Sequence, residues 1–137
     1  MANPILVVGF DGSAASERAL ERAAGLAGQG SVILVVAGPT IATPGVVPEP
    51  ILDAPAAAER DALLQRGLAL LPDNGPTART VSSELPAADA LIAVARDEGA
   101  DMIVVGATGT GYVTRALLGS TAENLVRQAA CDVLVVR

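Results

Sequence analysis

Four short runs of unbroken apolar residues punctuate the chain, at 5–8 (ILVV), 32–37 (VILVVA), 102–105 (MIVV) and 133–136 (VLVV). Each is rich in Val or Ile and bounded by Gly, Asp or Pro, the pattern of strands buried on both faces. Between them the apolar spacing turns helical. Residues 13–27 place Ala19, Leu20, Ala23, Ala24 and Ala27 on one stripe, opposite Glu17, Arg18, Glu21 and Arg22. Leu64, Leu68 and Leu71 mark a second helix over 56–71, and Ala88, Leu91, Ile92 and Ala95 a third over 87–98, with Gly99 as its C-terminal cap. A fourth, over 120–130, opens on Ser-Thr-Ala-Glu, a capping box in which Ser120 and Glu123 satisfy each other's backbone donors.

A polar run at 78–83, with Arg79, Thr80 and Ser82, reads as an edge strand. The alternation of strand and helix predicts an α/β fold, a doubly wound five-stranded parallel sheet with helices on both faces and right-handed crossovers. The whole of 1–137 is expected to form a single domain, in keeping with its length. The segment 38–55 breaks the rhythm. It holds Pro39, Pro44, Pro48, Pro50 and Pro55 and almost no charge, so it is expected to be neither helix nor central strand but a long loop, either a flap over a ligand or an insertion.

Composition narrows the chemistry. One Phe, one Tyr and no Trp leave no aromatic platform for stacking single-stranded bases. A net charge of −6 without a basic run leaves no footprint for a phosphate backbone, so nucleic acid is not an expected partner. With no His there is no imidazole for metal ligation or Ser-His-Asp catalysis. All nine cations are Arg, and the lack of Lys excludes a P-loop lysine and Schiff-base chemistry. The single Cys131 fits a reducing compartment and reads as a small apolar filler. The opening MANPILVV lacks the basic region of a leader, and no apolar stretch approaches the roughly 20 residues of a membrane span. A cytoplasmic protein without membrane contact is expected.

Ligands of open parallel sheets gather at the carboxyl ends of the strands. Two loops fall there. The first is Gly9-Phe10-Asp11-Gly12-Ser13, in which Ser13 is a candidate N-cap. Asp11 serves either as a turn residue near the helix dipole or as an acceptor for a ligand amine or hydroxyl. The second is Gly106-Ala107-Thr108-Gly109-Thr110-Gly111, followed by Gly119-Ser120-Thr121 at the last helix. Glycines let backbone N–H groups approach phosphate oxygens, and a helix N-terminus adds free donors and partial positive charge. The plainer reading is that Gly106 makes a turn and Ser120 a cap.

The spacing Gly106-x2-Gly109-x9-Gly119-Ser120 resembles the ATP-binding signature of the universal stress protein family. The opening ILVVGFDGSAASERAL and the ending LLGSTAENLVRQAACDVLVVR are similar to that family's first and last elements, and only the Pro-rich middle lacks a counterpart. The resemblance implies a sheet order 3-2-1-4-5 and two-fold dimers paired through strand 5. It implies ATP with Mg²⁺, with Asp11 (beside Gly9) and Ala37 at the adenosine. Gly106, Thr108, Gly109, Thr110, Gly111, Gly119, Ser120 and Thr121 would hold ribose and phosphates. Relatives carry basic residues where this chain has Thr108 and Thr110, leaving Arg115 to neutralise phosphate. Tyr112 and Ala37 also depart from the pattern.

The implied function is a stress-response or signalling module that holds ATP as a ligand with little or no turnover and acts on a regulated protein. A slow ATPase or nucleotidyl transferase is the enzymatic alternative, short of the cations that phosphoryl transfer needs. A dimeric scaffold with a vestigial loop is the third reading. The run 133–136 lies at the sheet edge in that order, and an apolar edge is normally covered or paired, here with a second copy.

Overall fold

The computed structural model describes residues 2–38, 53–108 and 118–137. Nine elements alternate among them: β1 (Ile5–Gly9), α1 (Ala14–Ala27), β2 (Ser31–Ala37), α2 (Asp53–Ala69), β3 (Thr77–Ser83), α3 (Ala87–Glu98), β4 (Met102–Gly106), α4 (Ser120–Gln128) and β5 (Asp132–Val136). The strands form one parallel sheet in the order β3-β2-β1-β4-β5. Strand order reverses between β1 and β4, the place where such sheets open a crevice.

Alternation along the strands builds two separate cores. Leu6, Val8, Val32, Leu34 and Val104 face α1 and α2 with Leu20 and Leu64. Val7, Ile33, Val35, Ile103 and Val105 face α3 and α4 with Leu91 and Leu125. Because β1, β2 and β4 are covered on both sides, they need the unbroken apolar runs that mark them in the sequence. β5 departs from that expectation: Val133, Leu134 and Val135 are only half-buried, because the strand sits at the edge and one neighbour is missing. β3, at the opposite edge, is mostly exposed, as its Arg, Thr and Ser content requires.

Helix termini follow local chemistry with two corrections. Ser13 caps α1, its hydroxyl accepting from the Ser16 amide at 3.2 Å. Gly99 ends α3 in the left-handed conformation, φ 61°, and its N–H reaches Ala95 and Arg96 carbonyls. The expected loop 38–55 is shorter at its far end, since α2 begins at Asp53 and Pro55 lies in its first turn. A proline is tolerated there because first-turn amides have no partner inside the helix. The remainder of that loop, 39–52, lies outside the described residues. The Ser120–Glu123 capping box does not form. Gly119 is the cap residue and offers no side-chain bond, while Glu123 pairs with Arg127 at 3.0 Å.

Candidate functional site at the carboxyl ends of β1, β2 and β4

A cleft of about 260 Å³ opens where the strand order reverses. β1 brings Gly9 to its wall and the turn beyond brings Asp11; β2 brings Ala37, β4 brings Gly106 and Thr108, and the start of α4 brings Gly119, Ser120 and Thr121. Eight of the residues singled out in the sequence thus share one cavity. Gly109, Thr110, Gly111 and Arg115, together with Tyr112, lie outside the described residues.

One end of the cleft is rich in donors. The Ala107 amide donates to the Val136 carbonyl and the Ala107 carbonyl accepts from the Gly119 amide, both at 2.7 Å. This single residue ties the end of β4 to β5 on one side and to α4 on the other. The tie aims the first turn of α4 at the cleft. The Glu123 amide is the first to bond within the helix, to the Gly119 carbonyl at 3.0 Å, and Gly119 brings no side chain to the amides before it. Those amides, the Ser120 and Thr121 hydroxyls and the helix dipole together make an anion-accepting corner.

The other end is apolar, walled by Val35, Ala37, Leu91 and Val105. Leu91 and Val105 also explain Gly9. A Cβ at that position would lie 3.0 Å from Leu91 Cδ1 and 3.1 Å from Val105 Cγ1, so a larger residue would push both walls back by a few tenths of an ångström. Gly106 has a packing reason too: a Cβ there would sit 2.8 Å from the Ala15 Cβ and 2.9 Å from the Ala15 carbonyl carbon. Its missing side chain admits α1 as well as lining the cleft.

Between the two ends stands Asp11. Its Oδ1 accepts from the Ser13 amide at 2.9 Å, which holds the carboxylate at the rim in a side-chain turn. Ser16 backs this turn, its hydroxyl donating to the Ser13 carbonyl at 2.9 Å while being almost fully buried. Sequence reasoning passed over Ser16, Val35, Ala87 and Leu91, all of which line the cleft. Ser16 carried a signal, a polar residue on the apolar stripe of α1. The others look like ordinary core positions until the sheet order is known.

Cys131 lies away from the cleft, before β5, and burial pushes its thiol up, with Asp132 and Asp101 adding to the shift against backbone hydrogen bonds. It stays protonated near neutral pH and is a poor nucleophile. Among the described residues no helix is long and apolar enough to cross a membrane.

The sequence matches the Universal stress protein family over residues 3–137. The fold superimposes on universal stress protein UspA from Lactobacillus plantarum with a TM-score of 0.78, 26% identity and coverage of 100% of this chain and 99% of that one. A universal stress protein solved in complex with cAMP is 30% identical, with a TM-score of 0.67 over 100% of this chain and 98% of that chain. The Archaeoglobus fulgidus universal stress protein in complex with dAMP shares the fold at 21% identity, with a TM-score of 0.66 over the full length of both chains. A Staphylococcus epidermidis protein assigned to the same family is 54% identical over 44 residues, which span 32% of this chain and 26% of that protein.

Proposed function

The chain belongs to the universal stress protein family, and from that premise we propose that it holds an adenine nucleotide, ATP with Mg²⁺, in the cleft at the β1–β4 reversal. The observation that carries this reading is the uncapped first turn of α4, held against β4 by the Ala107–Gly119 hydrogen bond and facing a cleft whose far wall is apolar. Phosphate oxygens take the open amides of α4 and the Ser120 and Thr121 hydroxyls. The base takes the wall of Val35, Ala37 and Leu91, and Asp11 accepts from a ribose hydroxyl or the adenine amine. The relative bound to cAMP, 30% identical over nearly its whole length, supports a nucleotide as the class of ligand.

Mg²⁺ would be held by the nucleotide rather than by a protein cage and would supply neutralising charge to its phosphates. Among the described residues no three carboxylate or thiol groups gather to hold an ion, which favours ligation by the phosphates themselves. In this reading ATP is a ligand, not a substrate. The described lining offers no Arg, and phosphoryl transfer needs concentrated positive charge. The protein then acts as a single cytoplasmic domain, paired with a second copy through β5, whose occupied state is read by a regulated protein.

Titration of the purified protein with ATP tests the reading. Asp11→Ala is expected to weaken binding by roughly 1.5–3 kcal/mol, the scale of a hydrogen bond to a charged group. Equal affinity for ATP and GTP would rule out an adenine pocket.

A further inference from the structure

The turn that presents Asp11 is gripped from outside the cleft. On α2, the Arg66 guanidinium donates through Nη2 to the Gly12 carbonyl at 3.0 Å and pairs with Glu17 of α1. Gly12 has φ 81°, in the left-handed region, and a Cβ there would lie 2.9 Å from both Arg66 Nη1 and Leu63 Cδ2. The approach of α2 is itself built on a glycine. A Cβ at Gly67 would come 2.6 Å from Leu34 Cδ2 and 3.4 Å from the Phe10 ring. Gly67 lets the helix settle onto β2 and Phe10, and this brings Arg66 over the turn. Glycine inside a helix is unfavourable against alanine, so its place here is understood from the close contact.

Resting on the nucleotide reading of the cleft, we propose that Arg66 is a positioning residue for ligand recognition, acting through Gly12 on Asp11. Arg66 does not line the cavity. Its side chain is 52% exposed, so water and salt screen its charge at the distance of a bound phosphate. What it supplies is geometry. Gly12 lies between Asp11 and Ser13, whose side-chain turn is closed by the 2.9 Å Ser13 amide bond. Ser16 fixes the Ser13 carbonyl from below, and Arg66 fixes the Gly12 carbonyl from above. Releasing the upper contact lets the peptide at Gly12 rotate, and with it the carboxylate. Binding sites lose affinity when a recognising group is free to wander before the ligand arrives.

Two measurements test the latch. Hydrogen exchange of the Ser13 amide, read without nucleotide, is expected to accelerate in Arg66→Met while the Gly99 amide on α3 keeps its parent rate. ATP affinity should fall roughly three- to tenfold in Arg66→Met, stay within about twofold of the parent in Arg66→Gln, and show no further loss when Arg66→Met is added to Asp11→Ala. Arg66→Gln keeps a donor for Gly12 without the charge. Unchanged Ser13 exchange in Arg66→Met would overturn the proposal. So would an affinity loss that persists in full on the Asp11→Ala background, or an Arg66→Gln variant as impaired as Arg66→Met, since both would mark a long-range charge effect. If Arg66→Met does not fold, Glu17→Ala, which removes the guanidinium's second contact, carries the same exchange test. ATP affinity indifferent to Asp11→Ala alone would remove Asp11 from the nucleotide site, and the Ser13 amide would still decide the latch.

Discussion

The Gly119 amide donates to the Ala107 carbonyl at 2.7 Å, across a stretch of chain that separates the end of β4 from the start of α4. This bond uses the amide of the cap residue itself and leaves those that follow without a helical acceptor. A side chain able to accept at position 119 would have closed one of them, as the Ser13 hydroxyl does for the Ser16 amide of α1. The two helices therefore begin differently, one with a hydroxyl on a first-turn amide and the other with no side-chain bond from its cap residue.

Ser120→Asp separates stability from binding at that opening. Ser120 is the first residue of α4, so a carboxylate there meets the positive end of the helix dipole. Thermal unfolding should show a gain of about 0.3–1 kcal/mol at low salt. ATP should bind at least about tenfold more weakly, because like charge and a competing acceptor meet the phosphates. Calorimetric affinity equal to the parent's would place the phosphates elsewhere.

Gly106→Ala is expected to destabilise the fold by about 1–3 kcal/mol, the range for forcing one methyl group into a packed interior. The obstacle is the Ala15 backbone and Cβ, neither of which can rotate away. Denaturant unfolding reads this without nucleotide. A variant as stable as the parent would mean that α1 has more freedom above β4 than its packing implies.

The proposed pairing of two copies through β5 has a sharp test at Val135. The Val136 carbonyl points at β4, where the Ala107 amide meets it. Backbone groups alternate sides along a strand, so those of Val135 face the open edge. Val135→Pro removes an outward donor and leaves the β4 ladder its bonds. Light scattering is expected to give a dimer mass for the parent and a monomer mass for the variant. A parent protein that is monomeric at micromolar concentration would refute pairing through this edge.

Much of the fold was legible because burial on both faces leaves a plain mark. β1, β2 and β4 are apolar runs rich in Val and Ile, and their order with the amphipathic helices points to a parallel sheet, although the equally apolar run of β5 lies half-buried at the edge. The polar run that became β3 was readable as an edge for the same reason. Less legible was anything decided by distance between elements. Gly67 reads as a weak spot in a helix, and only the 2.6 Å approach of Leu34 explains it. The Ser120–Glu123 pattern met every sequence rule for a capping box, yet the chain starts the helix one residue earlier, with Gly119 as its cap. The hydrogen bond that the Gly119 amide donates to the Ala107 carbonyl, distant in sequence, lies at that boundary. In the cleft, glycines and hydroxyls announced themselves, whereas Val35 and Leu91 serve the core and the cavity wall with one side chain and carry no separate signature.

At nine residues α4 is the shortest helix described, below the length at which an isolated helix sustains itself, and its cap residue, Gly119, brings no side-chain bond. Among the described residues its order rests on Ala122 and Leu125, both fully buried, on packing against α3 and on the tie to Ala107. On the nucleotide reading, an anion seated on its first-turn amides would supply the cap that Gly119 does not provide, and would stiffen this short helix. Occupancy would then be written as rigidity rather than as shape, in the helix that leads directly into the strand exposed at the edge of the sheet.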